Sequence, residues 1–274
     1  MHKIRRTALV RHEKEKSKGE LVTNQEYRQI DAISSSDLDY IATNPYLYTL
    51  GVRPEKTSKA MEFGTLVHSL VLEPEKFDEE YAVEDFEGCD LNKNTKAYKE
   101  AKAKWLESIG DRKIIAKSDY EKAKKIADRA RPFIEQFEGK AEQSYIAEWG
   151  EGIKVKCRPD FLSDDGYLID VKTISNINLN NDYLLARAIN DRKYHRQLAF
   201  YKMVLELCGI EVKECILLFC NTDDLWVRGV MLGPDDIERG RIEANNILDR
   251  YRSILRSEEI ELAQLFNPIQ LPNY

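Results

Sequence analysis

The chain has little of what would send a protein into a membrane or out of a cell. Its longest clean apolar run, Cys215 to Cys220, is far too short to span a bilayer. The N-terminus is charged and lacks an apolar h-region, so no signal peptide is expected. The five cysteines are odd in number and form no CxxC pair, which argues against a disulfide framework and for a reducing compartment. They read as small buried residues. Positive charge is not in excess either. The net charge of −6 argues against non-specific coating of nucleic acid, though not against an enzyme that meets it through one groove. No internal repeat and no low-complexity linker interrupts the chain. These absences predict a cytoplasmic protein with no membrane partner.

What is present is enough for one large domain or two small ones: 274 residues, 42% hydrophobic and 33% charged. Residues 1–30 read as a basic, flexible arm, carrying Lys3, Arg5, Arg6, Arg11, Lys14, Lys16 and Lys18. Residues 31–274 read as a single domain with a helical insertion over about 75–140. Ser34 and Asp37 resemble a capping box, and Asn44-Pro45 ends the helix it opens. A second helix over 57–72 carries Ala60, Phe63, Val67 and Leu70 as an apolar stripe, with Gly64 and His68 on a neighbouring face. Residues 75–94 look irregular. Residues 95–109 and 117–137 read as solvated outer helices, with Pro132 kinking the second and Gly139 capping it.

From Ala141 the period turns from helical to alternating. Strands are predicted over 142–149 and 153–158, and the second puts Lys154, Lys156 and Arg158 on one face, which reads as a solvated edge or, next to an acidic site, as phosphate contacts. Helices follow over 177–188 and 194–208, then strands over 213–220 and 225–231, then a charged helix from 233 to about 256. Strands in the middle with helices at the flanks predict one α/β domain.

One stretch stands out, Cys157 to Thr173, C-R-P-D-F-L-S-D-D-G-Y-L-I-D-V-K-T. Two apolar runs flank S-D-D-G, which predicts a hairpin with Gly166 at the positive-φ position. In the second run Leu168, Asp170 and Lys172 share one face, and Ile169 and Val171 the other. Charge on so apolar a strand is costly unless it is paired or binds a metal. Asp160 can reach the same place. The hairpin alone leaves a structural ion pair and a metal site equally open.

Pro159-Asp160, nine residues, then Asp170-Val171-Lys172 resembles the PD-(D/E)xK nuclease signature. Gly64 to His68 (G-T-L-V-H) resembles the helix-borne histidine of its RecB-like branch, and Gln197 to Tyr201 (Q-L-A-F-Y) that branch's Q-x-x-x-Y helix. The order of the motifs also agrees. F-G-T-L-V-H-S-L-V-L-E-P-E-K-F, A-E-Q-S, C-R-P-D and D-V-K-T are similar to the RecE-type exonucleases, the nuclease domain of exodeoxyribonuclease VIII, over about residues 34 to 230. One departure is informative: where iron–sulfur relatives carry a cysteine before proline, this chain has Asn44, and Cys208, Cys215 and Cys220 are not clustered at the C-terminus. No iron–sulfur cluster is expected.

The resemblance implies a restriction-endonuclease-like core, a central mixed β-sheet flanked by helices. It implies Mg²⁺, replaceable by Mn²⁺, held by His68, Asp160, Asp170 and the Val171 carbonyl. Lys172 would orient or activate water, a role that favours a depressed pKa. Glu142 would be a further catalytic carboxylate, as metal ligand or behind one. Gln197, Tyr201 and Arg158 would contact DNA or orient the site. The implied activity is 5′-to-3′ degradation of linear double-stranded DNA, leaving 3′ tails for a single-strand annealing protein in phage or prophage recombination. A ring-shaped homo-oligomer, trimer or tetramer, would turn basic residues inward despite the acidic total. The alternatives are a CRISPR-adaptation or repair nuclease of this fold, and a DNA-binding module without catalysis.

Overall fold

The structure is a computed structural model that describes residues 24–53 and 58–256. Residues 1–23 of the basic arm therefore lie outside the described residues. Helices α1 (Asn24–Gln29), α2 (Asp37–Thr43), α3 (Pro45–Thr49), α4 (Lys59–Leu72) and α5 (Phe77–Glu80) lead into strand β1 (Tyr81–Glu84). Then come α6 (Lys96–Ile109), β2 (Lys113–Ala116) and α7 (Lys117–Ile134). The strand-rich middle holds β3 (Gly139–Ala141), β4 (Tyr145–Trp149), β5 (Ile153–Cys157), β6 (Phe161–Ser163) and β7 (Tyr167–Ile174). The chain continues through α8 (Asp182–Asp191), α9 (Tyr194–Leu207), β8 (Glu214–Asn221), β9 (Val227–Met231) and α10 (Pro234–Arg256).

Five strands form the central sheet in the order β3-β6-β7-β8-β9. Only β7 and β8 are parallel, so the sheet is mixed, as the resemblance implies. The expected hairpin is present: β6 and β7 pair antiparallel, and Gly166 makes the turn at φ +90°. The alternation along β7 and β8 divides the core in two. Leu168, Ile174, Leu217 and Phe219 face a cluster that includes Leu38 and Ile41 of α2, Leu198 and Phe200 of α9 and Leu248 of α10. Ile169, Val171, Ile216 and Leu218 face the opposite cluster, built on α4 and α7. β7 is buried on both faces as far as Val171, so Asp170 lies inside the protein, and Lys172 beyond it is half-buried.

Several expectations need correction. α7 is not a solvated outer helix. Ala123, Ile126, Ala127, Ala130 and Ile134 are buried, and it runs through Pro132 unsplit to Ile134. Small alanines among many lysines and glutamates hid its apolar stripe. The stripe of α4 is centred on Leu66, Val67, Leu70 and Val71, leaving Ala60 exposed. Residues 75–94 contain β1, which pairs in parallel with β2, so the insertion is not purely helical. Gly139 does not cap a helix. It begins β3, where a side chain would overlap the Leu162 carbonyl. α8 begins at Asp182 rather than near 177, because Asn181 accepts a hydrogen bond from Leu184 N and caps it. The capping-box expectation is half met: Asp37 accepts from Ser34 N at 2.8 Å, but the Ser34 hydroxyl also donates to Asp37 and so caps nothing.

Candidate metal and catalytic site

The site forms where the sheet opens. β6 pairs with β7 only as far as Phe161 opposite Ile169. Beyond that point Asp160 takes over from the ladder, its Oδ2 accepting the Val171 N–H at 2.7 Å. In an extended strand a residue's N–H and C=O point to the same edge, so the Val171 carbonyl faces this opening too. α4 delivers His68, whose Nδ1 lies 3.4 Å from Asp160 Oδ2. Gly64, one turn earlier, lets α4 lie close to β7: a Cβ there would sit 3.0 Å from Thr173 Oγ1.

Glu142 arrives by a backbone irregularity. The strand expected from 142 is broken, because Glu142 adopts φ +53° between β3 and β4. Left-handed backbone at a non-glycine residue is costly and persists where the surroundings demand it. Here it is fixed by the Glu142 N–H donating to the Asp160 carbonyl at 3.1 Å. His68, Glu142 and Asp160 can then offer ligand atoms that all lie within 4.8 Å of one another.

Asp170 is not in that triad. Fully buried, it lies 2.5 Å from Lys172 Nζ through Oδ2 and accepts from Gln197 Nε2 at 3.0 Å through Oδ1. Gln197 Nε2 also donates to the Tyr201 hydroxyl at 3.1 Å. Tyr201 is buried, so it orients Gln197 rather than presenting itself to a ligand. Arg158 forms an ion pair with Glu142, Nε to Oε2 at 2.6 Å. All nine residues singled out in the sequence thus come to one place: His68, Glu142, Arg158, Asp160, Asp170, Val171, Lys172, Gln197 and Tyr201.

The neighbouring lysines part company with Arg158. Lys156 is buried, and its ammonium donates to the Tyr27 and Ile30 carbonyls at 2.8 Å each, so its donors are taken up in holding α1 rather than a phosphate. Lys154 is exposed on the strand edge opposite Glu148. One residue near the reacting groups was not anticipated. The Tyr194 ring at the start of α9 lies 5.1 Å from Lys172 Nζ. Its only signal in the sequence is a position three residues before Gln197.

The electrostatics disfavour charge on two of these carboxyls, chiefly through burial. Glu142 is pushed up to about 8, by burial first and then by the charge of Asp160, with Arg158 opposing. Asp170 is raised to about 6 by burial, with Lys172 opposing and Asp160 reinforcing. Lys172 departs from expectation. Burial works against its charge, but the carboxylates of Asp170 and Asp160 outweigh burial and hold it above the ordinary lysine range. Asp170 Oδ2 is also buried without a hydrogen bond among the described residues, its only partner being the Lys172 ion pair. A hard divalent cation, which prefers carboxylate oxygens, fits this donor set and would relieve both carboxylates.

A pH dependence follows. A carboxyl raised in the folded state binds its proton more tightly there than in the unfolded chain. Its stabilising share is complete below the unfolded value and is lost as pH rises through the folded one. For Glu142 that window runs from 4.5 to about 8, and for Asp170 from 3.8 to about 6. In EDTA, the Tm of the wild type should fall against that of Glu142→Gln between pH 6 and 8, and added Mn²⁺ should restore it most at pH 8. Parallel Tm curves for the two proteins would contradict the assignment.

No helix among the described residues is long and apolar enough to cross a membrane. No curated protein matches the chain. Among solved structures, a protein from Eubacterium rectale named as a "Putative exonuclease" superposes with a TM-score of 0.55 at 14% identity, covering 93% of this chain and 97% of its own. An alkaline exonuclease from Laribacter hongkongensis covers 85% and 94% at 13% identity, with a TM-score of 0.40. At such identities the first likeness bears on the fold alone. Residues 45–260 match the family described as "PDDEXK-like domain of unknown function (DUF3799)", a span that holds every site residue named above. The chain belongs to this PDDEXK-like family.

Proposed function

We propose that this protein is a divalent-metal-dependent exodeoxyribonuclease acting on the 5′ ends of linear duplex DNA. The observation that carries the reading is the meeting of two groups at the open edge of β7. One is the triad of His68, Glu142 and Asp160, and the other is Asp170 with Lys172. A structural ion pair would need only the second group. Phosphodiester hydrolysis needs both, a cation site and a cationic side chain beside it.

Asp160, Asp170, His68 and the Val171 carbonyl would hold Mg²⁺ or Mn²⁺, with Glu142 as a further ligand or behind one. The cation would supply a bound water of lowered pKa and neutralise phosphate charge. The chain's own residues do the rest. Gln197 holds Asp170 by Oδ1, and Oδ2, paired here with Lys172, would be shared with a cation. Lys172 presents its ammonium where charge develops on the phosphate. Cations on the two carboxylates would also remove the charge that now holds Lys172 high, freeing it to exchange a proton with water. Arg158, drawn to Glu142 here, would turn to the DNA phosphate once a cation engages that carboxylate. The 3′ tails left behind would be substrates for a single-strand annealing protein, in recombination of phage or prophage DNA. A ring of several copies would gather enough local positive charge to hold a duplex.

The test is hydrolysis of matched linear and circular duplexes with Mg²⁺ or EDTA, with label at either 5′ or 3′ ends. Expected is metal-dependent release of 5′ label from the linear form and an intact circle. Cutting of the circle would defeat the exonuclease reading, and release from 3′ ends would defeat the polarity.

A further inference from the structure

The register across three strands extends the site toward one rim of the sheet. Lys172 pairs with Phe219, and Phe219 pairs with Arg228, so the three lie in one row on one face. Two residues further along, Ile174 pairs with Asn221, whose N–H donates to the Trp226 carbonyl at 2.8 Å. Trp226 thus ends the second row beyond the one that holds Lys172, with Thr173, Cys220 and Val227 in the row between. Neighbouring strands lie about 4.8 Å apart, so the distance from Lys172 to Arg228 is on the order of 10 Å. Arg228 reaches off the sheet to Asp182 at 2.7 Å and to the Leu179 carbonyl, tying the start of α8 to the same rim. Tyr183 follows Asp182. Trp226 is 62% exposed and Tyr183 is 73% exposed, although both stand on anchored backbone.

That backbone is fastened from several sides. Asn221 is buried, donates to the Ile177 carbonyl at 2.8 Å and accepts from Asp223 N at 2.8 Å. Asp223 accepts from Asn176 N at 2.7 Å, and Asp224 accepts from Trp226 N at 3.0 Å. Asn176 and Leu225 are held in left-handed backbone at φ +58° and +61°. Two large aromatic side chains left open to solvent, one on a loop this constrained and one in the first turn of α8, gain nothing for the fold. The rim also selects its ligand. Asp182 is neutralised by Arg228, but Asp223 and Asp224 also lie in it and disfavour a phosphate chain, whereas a flat aromatic face takes any nucleobase.

We propose that Trp226 and Tyr183 form a stacking platform for unpaired nucleobases of a DNA end, on the sheet face that carries Lys172. The proposal rests on the nuclease reading for its ligand class. It assigns the rim to the bases of the strand and leaves the phosphates to the metal site. Bases held here fix how far a strand enters beyond the scissile bond.

The test is titration of the full chain with a short dye-labelled oligothymidylate in EDTA, with affinity read from the label's anisotropy and stacking from tryptophan fluorescence. The wild type should show quenching, and an abasic oligomer of equal length, which keeps the phosphates, should not quench. Trp226→Ala and Tyr183→Ala should each bind about tenfold more weakly, within the range for one lost base stack. Trp226→Phe should keep the affinity and lose the quench. Unchanged affinity in both alanine variants, equal quenching by the abasic oligomer, or no binding at all overturns the platform. Hydrolysis of linear duplex by the same preparation is a separate readout. Hydrolysis with unaltered alanine variants sinks the platform alone, and quenching without hydrolysis sinks the nuclease reading alone.

Discussion

Asp160→Asn is expected to bind Mn²⁺ at least on the order of 100-fold more weakly than the wild type and to hydrolyse no linear duplex measurably, while folding normally. The fold should survive because asparagine keeps the shape and one acceptor oxygen. That oxygen can still take the Val171 N–H, the bond that replaces the ladder where β6 ends. The ion should be lost because Asp160 is the member of the site that touches the most partners. It lies 3.4 Å from His68, holds Val171 and Glu142 through side chain and backbone, and raises both Glu142 and Asp170. Losing even an outer partner of a metal ligand costs 10- to 100-fold in affinity, so a direct ligand should cost at least the upper end. Calorimetry with Mn²⁺ measures it directly. Thermal shift gives a second reading, since saturation at 100 Kd stabilises by about 2.7 kcal/mol. A variant with wild-type Mn²⁺ affinity would place the cation elsewhere.

How much of this was legible beforehand follows from which forces set each part. The β6–β7 hairpin could be read because turn chemistry and two-residue periodicity are local. So could the strand pair that follows α9, and α10 itself. Five of the site residues could be gathered through the resemblance because they sit on regular elements in a fixed order: His68 on α4, Asp170 and Lys172 on β7, Gln197 and Tyr201 on α9. Their distances could not, because those depend on where β6 stops. Glu142 shows this best. The resemblance implied a carboxylate for the site, but strand propensity predicted ordinary extended backbone. Only the tertiary bond to the Asp160 carbonyl accounts for the left-handed turn.

The errors have the same origin. Lys154, Lys156 and Arg158 alternate cleanly, and an alternating cationic face reads as solvated or phosphate-bound. In the fold, Ile33 pairs with the edge of β5, and Tyr27 of α1 and Ile30 just after it supply two carbonyls to Lys156, which turns that edge inward. Arg158 is then drawn to Glu142. Lys172 was expected to be depressed by burial, and burial does act that way. The two buried carboxylates beside it act more strongly. No local pattern reports the balance of two such opposed terms.

Lys172→Ala should lower the rate of hydrolysis by about 10²- to 10⁴-fold, the range for loss of a positioned proton-transfer group, while Mn²⁺ still binds. The two readouts separate what Lys172 can be. Its ammonium lies 2.5 Å from Asp170, its side chain is only 16% exposed, and its charge faces the Tyr194 ring. If it were only the counterion of a buried carboxylate, its loss would cost stability, on the order of 3–5 kcal/mol for a broken buried pair. Each folded molecule would then hydrolyse at the normal rate. If it acts on the phosphate, the rate falls even in molecules that are folded and hold the cation. Asp170, already raised to about 6, should rise further without Lys172, so Mn²⁺ binding is compared at pH 8, where proton competition for the carboxyl is weaker than at neutral pH. Lys172→Arg distinguishes charge from proton transfer. A guanidinium keeps the positive charge but cannot release a proton near neutral pH. Partial rescue by arginine assigns Lys172 to charge stabilisation, and no rescue at equal Mn²⁺ affinity assigns it to proton transfer. A wild-type single-turnover rate in folded, Mn²⁺-loaded Lys172→Ala would return the Asp170–Lys172 pair to a structural role and leave catalysis to the cation triad alone.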